Sequence, residues 1–176
     1  MFQKHPRRLT EEDPMTFRVS QLAGALVLAA TMAATAQAQT DKLHLGPRLS
    51  YQFDQEALGL GVQLGVPIAR HLEFYPSFDY FFVDPGTFWN LNADLKFRLP
   101  SPSVEWLYLG GGLNIARSHS GSPSNNSRTR AGVNVFIGFE SLAGRVHPFG
   151  EFRFTANNNG STGQLAAGLN FTLRSN

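Results

Sequence analysis

From residue 43 to residue 173, apolar and polar positions alternate with a period of two, and short clusters of Gly, Pro, Asp, Asn and Ser interrupt the alternation. In Leu43–Phe53 every odd position is apolar or aromatic and every even one is polar or Gly. The next run, 58–68, sets Leu58, Leu60, Val62, Leu64, Val66 and Ile68 against Gly59, Gly61, Gln63 and Gly65. A strand points successive side chains to opposite faces, so each run predicts one strand with an apolar and a polar side. Further runs follow at 72–82, 89–99, 107–116, 130–140, 146–154 and 163–173; that at 146–154 is the weakest, because Pro148 and Gly150 interrupt it. Seven turn-rich segments separate the runs: Asp54–Ala57, Ala69–His71, Val83–Gly86, Pro100–Glu105, Ser118–Arg128, Ser141–Arg145 and Thr155–Ser161. Seven connections join eight strands.

The chain before residue 39 is of another kind. From Met15 it carries Arg18, an apolar stretch from Leu22 to about Ala34, and Ala36-Gln37-Ala38, the three parts of a cleavable signal peptide. The apolar part is too short and too rich in Ala and Thr for a comfortable transmembrane helix. Cleavage is expected after Ala38, and Met15 is the expected true start, since residues 1–14 are polar and end in Pro14. Residues 1–38 are thus read as an N-terminal extension and signal peptide, and 39–176 as one domain.

The two strand faces differ. Through all eight runs the apolar parity meets one charge, Arg117, just past the fifth run. The polar parity holds Arg48, Lys96, Arg98, Arg130 and Arg153 beside Glu73, Asp79, Asp94, Glu140 and Glu151. It also holds Gly59, Gly61, Gly65, Gly110, Gly112, Gly132, Gly138 and Gly168. Glycine weakens a solvent-facing strand, but in a narrow lumen it makes room opposite bulky residues such as Arg48, Tyr75, Phe81 and Phe136. Runs of nine to eleven residues match the roughly 9–11 that a tilted strand needs to cross a bilayer. The expected fold is therefore all-β: an eight-stranded antiparallel up-and-down transmembrane β-barrel, with lipid outside and the ten charged residues paired inside as a structural plug. Tyr51, Phe53, Phe82, Trp89, Trp106, Phe154 and Phe171 fall near run ends, where interfacial girdles lie.

Composition narrows the chemistry. Lys and Arg number 15 against 13 Asp and Glu, which gives no broad basic surface for nucleic acid. The chain has no cysteine, so disulfides, thiolate metal sites and thiol nucleophiles are excluded. The histidines (His5, His44, His71, His119 and His147) are scattered, which argues against a metal site; His44 and His147 are expected as lumen or rim residues. His119-Ser120 sit side by side in a polar connection, without the spacing a Ser-His-acid triad needs. No catalytic, cofactor-binding or metal site is expected.

Signal peptide, eight alternating runs and alternating connections together resemble the small OmpA-type and OmpX-type outer-membrane barrels over nearly all of 43–173. The last run adds a local likeness: Gly168, Phe171 and Leu173 resemble the C-terminal signature read by barrel-assembly machinery. Ala166 stands where that signature leads with a polar residue, and Arg174-Ser175-Asn176 follow it. The resemblance implies a bacterial outer-membrane location and periplasmic termini, with 54–57, 83–86, 118–128 and 155–161 outside. It further implies lipid and lipopolysaccharide as surroundings, the assembly machinery as partner, and a monomer. The expected function is a non-enzymatic structural, adhesive or interaction role in the envelope. A narrow channel is the alternative, with a lipid A-modifying enzyme behind it.

Overall fold

A computed structural model describes residues 43–84, 86–120 and 127–173 of the chain. The expected signal peptide, the tip of the 118–128 connection and Arg174-Ser175-Asn176 lie outside the described residues. Nine strands are described: β1 (His44–Gln52), β2 (Ala57–Ala69), β3 (Leu72–Phe74), β4 (Ser77–Phe81), β5 (Gly86–Arg98), β6 (Leu107–Ser120), β7 (Ser127–Glu140), β8 (Val146–Asn157) and β9 (Gly160–Thr172). All pairings are antiparallel, and β1 pairs with both β2 and β9, so the sheet closes on itself. Closure satisfies the backbone groups that an open edge would leave unpaired.

β3 and β4 are two halves of one traverse. Pro76 has no N–H for the ladder, and the run expected at 72–82 breaks there. The path continues nonetheless: Tyr75 N donates to Asp94 O at 2.8 Å, and Pro76 O accepts from Leu64 N at 2.9 Å. Eight traverses in up-and-down order result, as the alternation predicts.

Two connections are shorter than their composition implies. β6 and β7 stay paired out to His119↔Ser127, and only Asn158 and Asn159 separate β8 from β9. Residues 118–120 and 127–128 of the first expected connection, and 155–157 and 160–161 of the second, are therefore strand. Beyond the apolar belt both faces of a strand meet water, so the alternation fades while the ladder continues.

Burial is the reverse of a soluble protein's. Val135 is 62 % and Leu113 60 % exposed, whereas Arg48 and Arg153 are each 1 % exposed. The outward face carries Leu45, Leu49, Leu60, Leu95, Leu109, Ile137, Phe152 and Leu165, all exposed. The weak run of β8 is completed from outside: Phe139, opposite Gly150 on β7, lays its ring where a Cβ of Gly150 would come within 2.6 Å. In the lumen the relation inverts, and glycines sit beside large side chains. A Cβ at Gly61 would meet Asp79 Oδ1 at 2.5 Å and Arg48 Cγ at 3.0 Å; one at Gly110 would strike the Phe136 ring. The polar-face glycines are thus the space into which the lumen residues pack.

Candidate functional site: the lumen network and the mouth

Inward parity delivers a continuous polar column. Near its middle Arg48 on β1 reaches Asp79 on β4 (Nε to Oδ1, 3.1 Å) and Glu151 on β8 (Nη2 to Oε1, 3.3 Å). Arg153, also on β8, donates to Asp94 Oδ2 on β5 at 2.5 Å and to Glu151 Oε1 at 2.9 Å. Ser50 Oγ donates to Asp79 Oδ1 at 2.7 Å, Gln164 Nε2 to Asp79 Oδ2 at 3.1 Å, and Asn134 Nδ2 to Asp94 Oδ1 at 2.6 Å. Every carboxylate of this cluster is held by a guanidinium and at least one neutral donor, the arrangement that offsets desolvation of buried charge.

A second cluster lies toward the end where residues 43 and 173 emerge. Lys96 Nζ meets Glu140 Oε2 at 2.6 Å and Glu73 Oε2 at 3.3 Å, and Arg98 Nη2 lies 3.0 Å from both Glu73 Oε1 and Glu140 Oε2. Between the clusters stand Tyr75, Tyr108 and Phe136, with ring centroids 6.0 to 6.4 Å apart. Lys96 Nζ sits 4.7 and 4.5 Å from the Tyr75 and Tyr108 rings, and Arg153 Cζ 4.7 Å from Phe136. The two clusters are one network. Arg48 Nη1 donates to Gln63 Oε1 (3.1 Å), Gln63 Nε2 to Asn170 Oδ1 (2.8 Å), and Asn170 Nδ2 to Glu140 Oε1 (2.7 Å).

Nine of the ten charges expected to pair inside do so. Arg130 does not: it points to the lumen side, half-buried, with no ion pair among the described residues and a buried Nε that has no partner. Parity fixes the face but not the height. Asp94 lies in register with Asn134 through Gly112, four residues along β7 from Arg130, or about 13 Å. The paired network therefore holds four cations against five carboxylates, not the five against five that alternation implies. Gln63, Asn170, Ser50, Asn134, Gln164 and Tyr108 belong to it too. Their only sequence signal is polar or bulky character at inward parity.

His44 and His147, scattered in sequence, meet edge to face at 5.3 Å at the rim near the termini, with β9 passing between their strands. Both His147 nitrogens are engaged, Nδ1 with Ser141 O at 2.7 Å and Nε2 with Thr172 Oγ1 at 2.9 Å. Among the described residues no group of three His, Cys, Asp or Glu is placed to hold a metal ion. His119 Nδ1 lies 2.9 Å from Ser127 Oγ across the β6–β7 ladder. No carboxylate hydrogen-bonds its other nitrogen among the described residues, so this pair lacks the orienting acid of a triad.

At the opposite end a cavity of about 700 Å³ opens outward, bounded by Glu56, Asp84, His119, Arg128, Phe82 and Phe88 among others. Beneath it Phe81 and Phe88, 5.1 Å apart, pack with Ala57, Val83 and Ala116. This apolar septum separates the cavity from the amides of Asn90, Asn114 and Gln164 below. From the mouth inward the lumen is layered: septum, amides, charged cluster, aromatics, charged cluster, histidine pair.

Gly168, Phe171 and Leu173 occupy the closing strand. Gly168 faces Arg48 across the β1–β9 seam, where a Cβ would come within 2.8 Å of the Phe149 ring. Phe171 and Leu173 are exposed on the outer face.

No protein-family model matches the sequence, and no curated protein matches it. Solved structures do. The N-terminal β-barrel domain of Pseudomonas aeruginosa OprF is similar at 17 % identity and a TM-score of 0.60, over 74 % of this chain and 97 % of that one. Neisserial surface protein A (NspA) is similar at 16 % identity and a TM-score of 0.56, over 75 % and 95 %. Ail, the attachment invasion locus protein of Yersinia pestis, is similar at 14 % identity and a TM-score of 0.52, over 75 % and 97 %. At these identities the likeness is one of fold. The chain has the eight-stranded up-and-down barrel fold of small outer-membrane proteins.

Proposed function

We propose that this protein is a non-enzymatic outer-membrane barrel with a filled lumen, which anchors in the envelope and presents its mouth to the exterior in a structural, adhesive or interaction role. The observation that carries this reading is the inverted burial: an apolar outer belt around a buried salt-bridged column. Water would not tolerate that exterior on a monomeric soluble barrel, and hydrocarbon requires it. The septum, the aromatic layer and the two ion clusters leave the column filled at several heights, which supports a plug over a channel. In this reading Gly168, Phe171 and Leu173 serve recognition by the assembly machinery, outer-membrane lipid and lipopolysaccharide surround the barrel, and it acts as a monomer.

Two measurements test it. A folded barrel migrates differently on a detergent gel before and after boiling, and in a planar bilayer the plug keeps it electrically silent. No mobility shift, together with recovery in a detergent-free soluble fraction, would point instead to a soluble lipocalin-like barrel, whose strands alternate in the same way. A large stable conductance would replace the plug with a channel, and an altered lipid A mass in cells producing the protein would make it an enzyme.

A further inference from the structure

On the outer face the strands β5, β6 and β7 carry one charged side chain, Arg117. It stands in a row fixed by backbone register: Tyr80 on β4, Trp89 on β5, Arg117 on β6 and Thr129 on β7 are successive partners. One pair further from the chain termini, Thr87, His119 and Ser127 form the next outward row, with His119 hydrogen-bonded to Ser127. On the other side of the Arg117 row, Leu91, Ile115 and Ala131 begin the apolar belt. The boundary between belt and polar rim thus runs through Arg117. Trp89 packs against Phe78 and Tyr80 against Phe82, which makes this sector an aromatic girdle.

Arg117 is exposed and makes no ion pair among the described residues. A guanidinium facing outward from a barrel wall is costly in the hydrocarbon but nearly neutral at its edge, where an anion of the lipid headgroup can pair with it. It is held on a hydrogen-bonded ladder, between the hydroxyl of Thr129 and the ring of Trp89, rather than on a loop. The partner left for it is the membrane itself.

We propose that the outward row of Trp89, Arg117 and Thr129 binds a phosphate of lipid A in the outer leaflet, with Arg117 as the anchoring cation. This rests on the outer-membrane reading above, in which the rim opposite the chain termini lies in the lipopolysaccharide leaflet. A planar guanidinium matches two phosphate oxygens at once, and the flanking Thr129 hydroxyl supplies a further donor. No bond is made or broken; the site positions the barrel in its leaflet.

Trp89 reports on the site directly. The chain has two tryptophans, so Trp106→Phe leaves Trp89 as the sole tryptophan, excited selectively at the red edge of its absorption. In that background the folded protein in zwitterionic micelles is titrated with bisphosphorylated lipid A, with dephosphorylated lipid A, and with phosphatidylglycerol. The expected result is a saturable Trp89 response to bisphosphorylated lipid A that Arg117→Ala weakens about fivefold, the size of one arginine–headgroup attraction. Arg117→Lys recovers part of it, and Arg128→Ala, whose side chain lines the mouth cavity, leaves it unchanged. Equal midpoints for the parent and Arg117→Ala, or an equal response to dephosphorylated lipid A or phosphatidylglycerol, overturn the inference. Heat-modifiable migration is measured on each sample: its loss in the parent defeats the barrel reading, whereas its retention with a flat titration defeats only this site.

Discussion

Arg153 is the residue on which the lumen network is most directly tested. Its guanidinium joins Asp94 and Glu151 and lies over Phe136, with its side chain almost entirely shielded from solvent. Arg153→Met preserves much of the volume and removes the charge. Two unit charges 4 Å apart attract by about 4 kcal/mol at an effective dielectric constant of about 20, and removal of one partner from a buried pair costs about 3–5 kcal/mol. The central cluster already sets two guanidiniums against three carboxylates, so the loss falls on a group with an excess of negative charge. The expected cost of Arg153→Met is therefore about 4 kcal/mol. Asp94→Asn, which relieves that excess, is expected to cost only about 1 kcal/mol, and the double variant to recover about 2 kcal/mol relative to the sum of the singles. Reversible urea unfolding in lipid vesicles, followed by tryptophan emission and gel mobility, measures all four corners of the cycle. A cost below about 1 kcal/mol for Arg153→Met with no coupling to Asp94 would show that the pairs do not hold the barrel.

Other perturbations separate the layers. Arg130→Met should cost less than about 0.5 kcal/mol in the same assay, because Arg130 has no ion pair among the described residues. Gly110→Leu should cost about 1–3 kcal/mol or abolish the heat-modifiable form, since its side chain would enter the Phe136 ring. At the middle of the outer belt, Val135→Arg should cost about 2–4 kcal/mol in vesicles, and Val135→Leu should be near neutral. Truncation of Phe81, Phe88, Tyr75 and Phe136 together to Ala should convert an electrically silent barrel into a leaky one in a planar bilayer; continued silence would locate the seal in the ion clusters.

Alternation made the eight traverses legible because the two faces of each strand meet different media, and a period of two records that difference at every residue. The same logic set ten charges on the inner side without their partners. Arg48 meets Glu151, 103 positions away, and Arg153 meets Asp94, 59 positions away; such contacts depend on the stagger of the closed sheet, which no single strand encodes. Height, not face, is what separates Arg130 from the rest. His44 and His147 escaped notice as a pair because β9 passes between them. The β8–β9 junction reads as a loop because Thr155–Ser161 is rich in Asn, Gly and Ser, although its backbone stays in the ladder to Asn157↔Gly160. The Phe81–Phe88 septum was hidden for the converse reason: two aromatics at polar parity look like exceptions until the barrel brings them 5.1 Å apart.

The network that joins distant strands also ties drying of the lumen to closure of the sheet. Arg48 on β1 reaches Asp79 through β2, but it reaches Glu151 on β8 only across β9, so that pair exists only once the β1–β9 seam has closed the lumen. Until then a growing sheet exposes the carboxylates of its concave side, and water must remain among them. Closure is the step that expels this water, and it can do so only where every strand has arrived in the register that brings each acid to its cation. A sheet slipped by one pair would dehydrate unmatched charges, at several kcal/mol each. The salt bridges are thus expected to penalise a misregistered ring, since only the correct register lets every acid dry beside its cation.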